Sequence, residues 1–227
     1  MLRKRCSSIW SWVKFVADPD LPPLPPILGH GTRWLAIDKP AGMLSVPGRG
    51  PAKADCAARR VQAHFPDARP VHRLDMETSG ILLFALGAAA HRNLSIAFAE
   101  RRIGKTYEAV VEGLPVSDRG EISLPLVVDW PRRPRQKIDP DHGKPALTRY
   151  CVLERMPTVN RARLRLEPIT GRSHQLRVHL RALGHPIVGD TLYGATQPAA
   201  RLMLHATQLR FTDDFDSNVQ LVSPAPF

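Results

Sequence analysis

Cysteine is scarce in this sequence, and the cysteines it has form no pattern. The 227 residues contain three, Cys6, Cys56 and Cys151, and they lie far apart without a C-x-x-C pair. A disulfide framework or a thiolate zinc site is therefore not expected, and a reducing cytoplasm fits this composition.

Long apolar runs are also missing. The longest clean run, residues 81–90, is much shorter than the roughly 20 residues that a membrane-spanning helix needs. The first 16 residues faintly suggest a signal peptide, but Lys14 interrupts their apolar part and no small-residue cleavage site follows. We therefore expect neither membrane insertion nor secretion.

Acidic residues are outnumbered by basic ones. Lys and Arg total 32 against 21 Asp and Glu, which leaves a formal net charge of +11. A basic surface attracts polyanions and releases their counterions on binding, so a nucleic acid is the expected partner. A merely solvated basic surface would have the same composition.

Signals for regular structure begin at residue 33. Residues 18–31 contain five prolines without periodicity, so residues 1–32 are predicted to be an N-terminal extension, partly disordered or packed on the surface, and residues 33–227 a folded domain. Apolar patterns predict strands over 34–37, 81–85, 106–111 and 163–169, and helices over 52–65, 88–101 and 173–183. The last helix would have Ser173 as its N-cap and Gly184 as its C-cap. This order indicates a mixed α/β (α+β) fold rather than a doubly wound parallel sheet.

The most informative stretch is VHRLDMETSG, residues 71–80. Asp75 follows His72 and Arg73 and precedes a turn and a short apolar strand. A carboxylate on a loop that leads into a core strand is held rigidly, as a catalytic group must be. Taken alone, the pattern favours an Asx-turn, in which the carboxylate only caps the loop.

Two further stretches are basic. In residues 169–183, His174, Arg177 and Arg181 would share one face of a helix, and that face is either solvated or faces phosphates or a buried carboxylate. Residues 129–137 place a set of cations in a proline-containing loop beside Trp130, which could stack on an exposed base: Arg132, Arg133, Arg135 and Lys137. Solvated loops have this composition too.

The motif HRLDMETSG resembles H-R-L-D-x-x-T-S-G, the catalytic motif of the RluA family of RNA pseudouridine synthases. The likeness continues through residues 105–108, 124–131, 143–146, 171–177, 184–190 and 204–206. It covers residues 33–227, and the S4 RNA-binding domain that many relatives carry is not recognisable.

The resemblance implies a mixed, mainly antiparallel sheet with flanking helices and an RNA cleft across it. It implies that Asp75 is catalytic, that Arg177 pairs with it, and that Tyr107 stacks on the uracil. It also implies that Arg73 helps displace the target base. The other residues expected to contact RNA are His72, Trp130, Arg132, Arg133, Arg135, Lys137, Arg172 and His174.

The activity implied is the isomerisation of uridine to pseudouridine. The reaction involves no net oxidation, so neither a redox cofactor nor a metal is expected. A carboxylate can act in it as a nucleophile, or as a base and electrostatic stabiliser. The tryptophan–proline segment 130–131 and its basic loop resemble the branch of the family that acts on both large-subunit ribosomal RNA and a tRNA anticodon stem-loop. We expect a cytoplasmic monomer.

Three other functions are less consistent with the sequence. An RNA-binding protein without catalysis would have no need of a carboxylate among phosphate-binding groups. A metal-dependent hydrolase using His174, His179 and His185 would lack the H-E-x-x-H spacing that puts two ligands on one helix face. A serine hydrolase built on Ser79 would lack G-x-S-x-G.

Overall fold

The computed structural model describes residues 23–196, 199–213 and 217–227. Its strands are β1 Ile27–His30, β2 Trp34–Lys39, β3 Ala68–Pro70, β4 Ser79–Leu86, β5 Gly104–Glu112, β6 Arg119–Ser123, β7 Leu126–Val128, β8 Gln136–Ile138, β9 Leu147–Met156, β10 Arg161–Pro168, β11 Leu204–Thr212 and β12 Asn218–Val222. Its α-helices are α1 Ala57–His64, α2 Ala88–Ala99 and α3 Gln175–Ala182.

Ten of these strands form one mixed sheet. Its order is β1-β2-β4-β11-β5-β10-β9-β6, with β12 also paired to β11 and β3 to β4. Within the described ranges, β4 and β11 form its one parallel pair, and every other pair is antiparallel. The expected mixed, mainly antiparallel sheet is confirmed. Strands β7 and β8 form a separate hairpin.

The core lies on both faces of this sheet. Alternate residues of β4 point to opposite sides, so Ile81 and Leu83 pack with α2, whereas Leu82 and Phe84 pack with α1. This burial on both faces explains why β4 is continuously apolar. Helix α3 packs through its leucines on β5 and β10, which forms a third cluster.

The parallel pairing at the centre of the sheet depends on Gly80. This residue lies opposite Ala206, and a Cβ added to it would be 2.4 Å from the Ala206 carbonyl oxygen. Its φ of 110° is also one that side chains rarely allow. Beside it, the Ser79 hydroxyl contacts the His205 ring nitrogen Nδ1 at 2.7 Å. The strand that follows the Asp75 loop is therefore joined closely to the C-terminal part of the chain.

The structure corrects the predicted bounds of the N-terminal segments. Residues 27–30, inside the predicted extension, form β1, which pairs with β2 at the end of the sheet; residues 1–22 lie outside the described residues. The helix expected over 52–65 begins only at Ala57, because Cys56 caps it: the Cys56 sulfur accepts a hydrogen bond from the Arg59 N–H at 3.5 Å. None of the described helices has the length and apolar character required to cross a bilayer.

Candidate active site

Asp75 lies on the loop between β3 and β4, and the residues beside it are fixed from both sides. The Ser45 hydroxyl donates to the Leu74 carbonyl at 2.7 Å and accepts from the Leu74 N–H at 3.0 Å. On the other side, Lys39 Nζ donates to the Met76 carbonyl at 3.0 Å. The Asp75 side chain remains 28% exposed. The loop therefore holds a solvent-accessible carboxylate in a fixed position.

Lys39 is fully buried beneath this loop. Its ammonium also donates to the carbonyls of Pro40 and Met43, at 2.8 and 2.7 Å. Burial lowers the pKa of Lys39 to about 8, against the opposing effect of the charges on Glu77 and Asp75. Lys39 therefore acts through the backbone of the Asp75 loop, a position that the sequence analysis did not identify.

Arg177 is 4% exposed and approaches Asp75 from α3, with Nη1 3.6 Å from Oδ2. The solvated-face alternative is therefore wrong for Arg177, although Arg181, one turn later, is exposed. The two parallel bonds of the guanidinium go to another carboxylate: Nε and Nη2 donate to Asp190 at 2.8 and 2.7 Å. Asp190 was missed because it lies in a loop whose contact with α3 arises only in the folded chain.

His174 takes the N-cap position of α3 in a left-handed conformation, with φ of 54°. The expected cap at Ser173 is wrong. The Gln175 side chain orders this turn instead, because its Oε1 accepts from the Arg172 N–H and the Thr170 hydroxyl. Its Nε2 donates to the Leu147 carbonyl on β9. The unusual backbone at His174 directs the imidazole towards Asp75.

The hydrogen-bond partners of His174 favour one tautomer. The Tyr193 hydroxyl accepts from the Gln136 N–H at 2.8 Å and lies 2.6 Å from His174 Nδ1, to which it can donate its own hydrogen. The ring hydrogen is then on Nε2, which is 3.8 Å from Asp75 Oδ1. Burial is the largest influence on His174 and lowers its pKa, although the charge of Asp75 opposes it. A neutral N–H donor therefore faces the carboxylate.

Tyr107 projects from β5 into the same cleft. Burial, and to a smaller extent the charge of Asp75, raises the pKa of Tyr107 far above its ordinary value. The phenol is therefore neutral at any physiological pH, and its ring is available for stacking on a planar base.

One cleft of about 720 Å³ is lined by Asp75, Tyr107, His174 and Arg177. Among the described residues that line it, Asp75 is the only carboxylate, and the arginines and lysine are Arg73, Arg101, Lys105, Arg172 and Arg177. Arg101 and Lys105 were not predicted from the sequence to be site residues. The signal for Lys105 was available, because it lies two residues before Tyr107 on one strand and therefore on the same face.

His72 also lines the cleft, but its ring has a structural contact. Nε2 accepts the Leu83 N–H at 3.0 Å, and the ring stacks on Phe98 with centroids 4.8 Å apart. Burial lowers the pKa of His72 to about 3, so the ring is neutral. An RNA contact by His72 stays a prediction, and the imidazole would make that contact in its neutral form.

The basic loop forms the tip of a hairpin made of β7, β8 and residues 129–135, which we call the basic hairpin. Trp130 is 66% exposed, and the Arg133 guanidinium carbon lies 4.2 Å from its ring centroid. Arg132 pairs with Asp129 at 2.7 Å, and Lys137 on β8 pairs with Asp139 at 3.0 Å. Two of the expected phosphate contacts are therefore partly neutralised within the protein.

The histidines of the metal-hydrolase alternative do not converge. His179 contacts Thr148 and the Leu124 carbonyl, whereas His185 contacts the Glu112 carbonyl. The one group of potential metal ligands among the described residues is Asp139, Asp141 and His142, which lies beside the basic hairpin and outside the cleft.

Comparisons with known proteins bear on this site. The family model described as RNA pseudouridylate synthase matches residues 33–182, which include Asp75, Tyr107 and Arg177. The dual-specificity RNA pseudouridine synthase RluA of Pasteurella multocida (strain Pm70) is 50% identical over 196 residues, 85% of this chain and 89% of that protein. The protein of the same name in Escherichia coli (strain K12) is 46% identical over 205 residues, 88% of this chain and 93% of that protein. The solved structure of human RNA pseudouridylate synthase domain containing 1 aligns with a TM-score of 0.75 at 33% identity, covering 89% of this chain and 84% of that one.

Proposed function

The chain belongs to the RluA family of RNA pseudouridine synthases, and on that premise we propose that Asp75 is the carboxylate with which it converts uridine to pseudouridine. The observation that carries this proposal is the position of Asp75. It is the only carboxylate among the described residues that line a basic cleft, and Arg177 and His174 approach it from α3.

The reaction requires one bond of the nucleotide to be exchanged for another. The bond from N1 of uracil to C1′ of ribose breaks, the base rotates, and C5 bonds to C1′. The hydrogen on C5 leaves as a proton, and N1 takes up a proton in exchange, so the product is an isomer of the substrate and no electrons are gained or lost. Asp75 acts as the nucleophile, or as the base and electrostatic stabiliser, in this sequence.

The surrounding side chains have separate roles in the proposal. The neutral ring of Tyr107 stacks on the uracil, and Arg177 and the His174 N–H orient the carboxylate. Arg73, which is exposed at the cleft, helps displace the base from its stack. Extrusion costs a few kcal/mol and is cheapest for an unpaired nucleotide, so a loop uridine is the favoured target.

For the substrates we propose both large-subunit ribosomal RNA and a tRNA anticodon stem-loop. This is supported by near-complete alignment with relatives named for dual specificity and by the exposed Trp130 and Arg133 of the basic hairpin. We also propose that the chain acts as a monomer, and in the cytoplasm.

The test follows the hydrogen on C5. RNA labelled with tritium at C5 of uridine, prepared from cells that lack this activity, should release label to water when the protein is added. Release should persist in excess EDTA. Asp75→Asn keeps the shape of the side chain and removes its charge, so release should be lost while RNA affinity stays within a few-fold. Label release at the wild-type rate by this variant would disprove the role of Asp75, and no release by the folded wild-type protein would disprove the activity.

A further inference from the structure

Two cations meet at the end of the cleft beyond Tyr107. Lys105 and Tyr107 project from the same face of β5, about 7 Å apart along the strand. The Lys105 ammonium reaches towards the loop before α3, where a Cβ added to Gly171 would be 3.8 Å from Nζ. Arg101 enters the same end of the cleft from the segment after α2.

No residue that the structure describes supplies a counter-charge for this pair. Within the described part of the chain, neither Arg101 nor Lys105 takes part in an ion pair. Burial lowers the pKa of Lys105, and the charge of Arg101 lowers it further. The neighbouring His72 is a neutral acceptor. A half-buried ammonium and an exposed guanidinium thus lie close together, in a place where an anion would stabilise both.

The backbone of Arg101 adopts an unusual, left-handed conformation. Helix α2 has Glu100 as its C-cap, and the next residue, Arg101, has φ of 60°. Glycine is preferred at this position, because side chains of other residues are strained there. A charged side chain at a position suited to glycine indicates that the side chain itself has a function.

We propose that Arg101 and Lys105 form a subsite for one RNA backbone phosphate beside the extruded nucleotide. This inference rests on the proposed function, because it assumes that the target base stacks on Tyr107. The subsite lies one strand repeat from that ring, so a phosphate next to the target nucleotide reaches it while the base occupies the cleft. An anion there is held by a bidentate-capable guanidinium and an ammonium, the two groups that proteins use for phosphates.

The experiment is a charge-removal cycle between the RNA and the protein. The RNA is a stem-loop that the protein modifies. The phosphates around its target uridine are replaced, one at a time, by neutral methylphosphonate. At one position the replacement should weaken binding to the wild-type protein about tenfold, the effect of removing one charge-assisted hydrogen bond. The Arg101→Gly, Lys105→Gln double variant should bind the RNA with all its phosphates about tenfold more weakly than the wild type does. Its affinity should not change further when that same phosphate is replaced.

Matched variants separate this subsite from general charge. The double variant Arg119→Gln, Arg149→Gln also removes two positive charges, from β6 and β9 at the far edge of the sheet, and should keep the full sensitivity to the methylphosphonate. Lys105→Arg keeps the positive charge, so this variant should also keep the sensitivity to the methylphosphonate. A double variant that remains as sensitive as the wild type at every position would overturn the proposal.

The melting temperature is a second measurement, because a structural role and a phosphate-binding role of these residues predict different changes in it. Arg101→Gly relieves backbone strain, and Lys105→Gln removes a desolvated charge, so neither should lower the melting temperature. If Arg101→Gly lowers it and leaves RNA affinity unchanged, Arg101 serves the end of α2 and the subsite is disproved. Failure of the proposed function would be seen separately, as the absence of tritium release by the wild-type protein.

Discussion

Arg177 contacts two carboxylates whose surroundings differ. Asp190 is 1% exposed and receives both parallel bonds of the guanidinium, whereas Asp75 is 28% exposed and lies 3.6 Å from the remaining nitrogen. Asp190 also accepts the N–H groups of Leu192 and Tyr193. The buried pair is therefore well satisfied, and its effect on Asp75 is to hold the third guanidinium nitrogen in place.

Arg177→Lys should reduce turnover more than RNA affinity. Lysine retains the positive charge but cannot make the two parallel bonds to Asp190, so its charge is no longer held beside Asp75. The check is single-turnover tritium release compared with the dissociation constant of the same RNA. Arg181→Lys makes the same change on the exposed side of α3 and should alter neither value. Equal losses of turnover and affinity in Arg177→Lys would identify a phosphate contact instead.

At the scale of elements, periodicity located strands and helices well but not their ends. The alternating or apolar patterns of β2, β4, β5 and β10 depend on local sequence, and each was predicted within two residues. The N-cap of α3 was predicted wrongly, because the turn before this helix is ordered by the Gln175 side chain bonding to β9, a contact made only in the folded chain. The role of β1 was hidden because the prolines that precede it suggest an irregular segment, and only its pairing with β2 makes it a strand.

The site residues that were predicted are marked by local sequence, whereas those that were not depend on contacts between distant segments. A contiguous motif marks Asp75, and short motifs mark Tyr107 and Arg177. Lys39 and Asp190 reach the site only through contacts between distant segments, so no local pattern indicates them.

The basic hairpin should contribute phosphate contacts that depend on its position. Reversal of its charges through Arg132→Glu, Arg133→Glu and Arg135→Glu should weaken RNA binding and flatten its salt dependence. Each phosphate that the hairpin no longer binds should reduce the log–log slope by about 0.7 to 0.9. The measurement is RNA affinity over a series of salt concentrations. The control is reversal of three arginines on strands β6, β9 and β10, which changes the net charge equally: Arg119, Arg149 and Arg165. An equal effect of both sets would mean that only net charge matters.

Across the whole molecule, several histidines are kept neutral by burial. Burial is the main cause of a lowered pKa at His72, His174, His179 and His205. Each resists protonation in the folded protein and accepts a proton readily when unfolded. The stability that depends on them is therefore present above the unfolded pKa of about 6.5 and is lost as the pH falls below it.

His72→Gln should make the protein less sensitive to acid. The folded pKa of His72 is about 3, so the window for its contribution runs from about 6.5 down towards 3. A glutamine oxygen can accept the Leu83 N–H without taking up a proton. Between pH 7 and 5, the wild type should lose about 1 to 2 kcal/mol more unfolding free energy than the variant. Urea denaturation at the two pH values measures this difference, and identical losses would show that His72 titrates normally.

The pairing of Gly80 with Ala206 also determines when activity can arise during synthesis. The Asp75 loop leads into β4, and β4 obtains its central neighbour only from β11, with Ser79 and His205 126 positions apart. Contacts this distant in sequence form late in folding, and a growing chain folds from its N-terminus as it is made. A nascent chain that ends before residue 204 can contain the whole HRLD segment and still lack the strand that fixes it. The Asp75 loop is therefore fixed only after β11 has been synthesised.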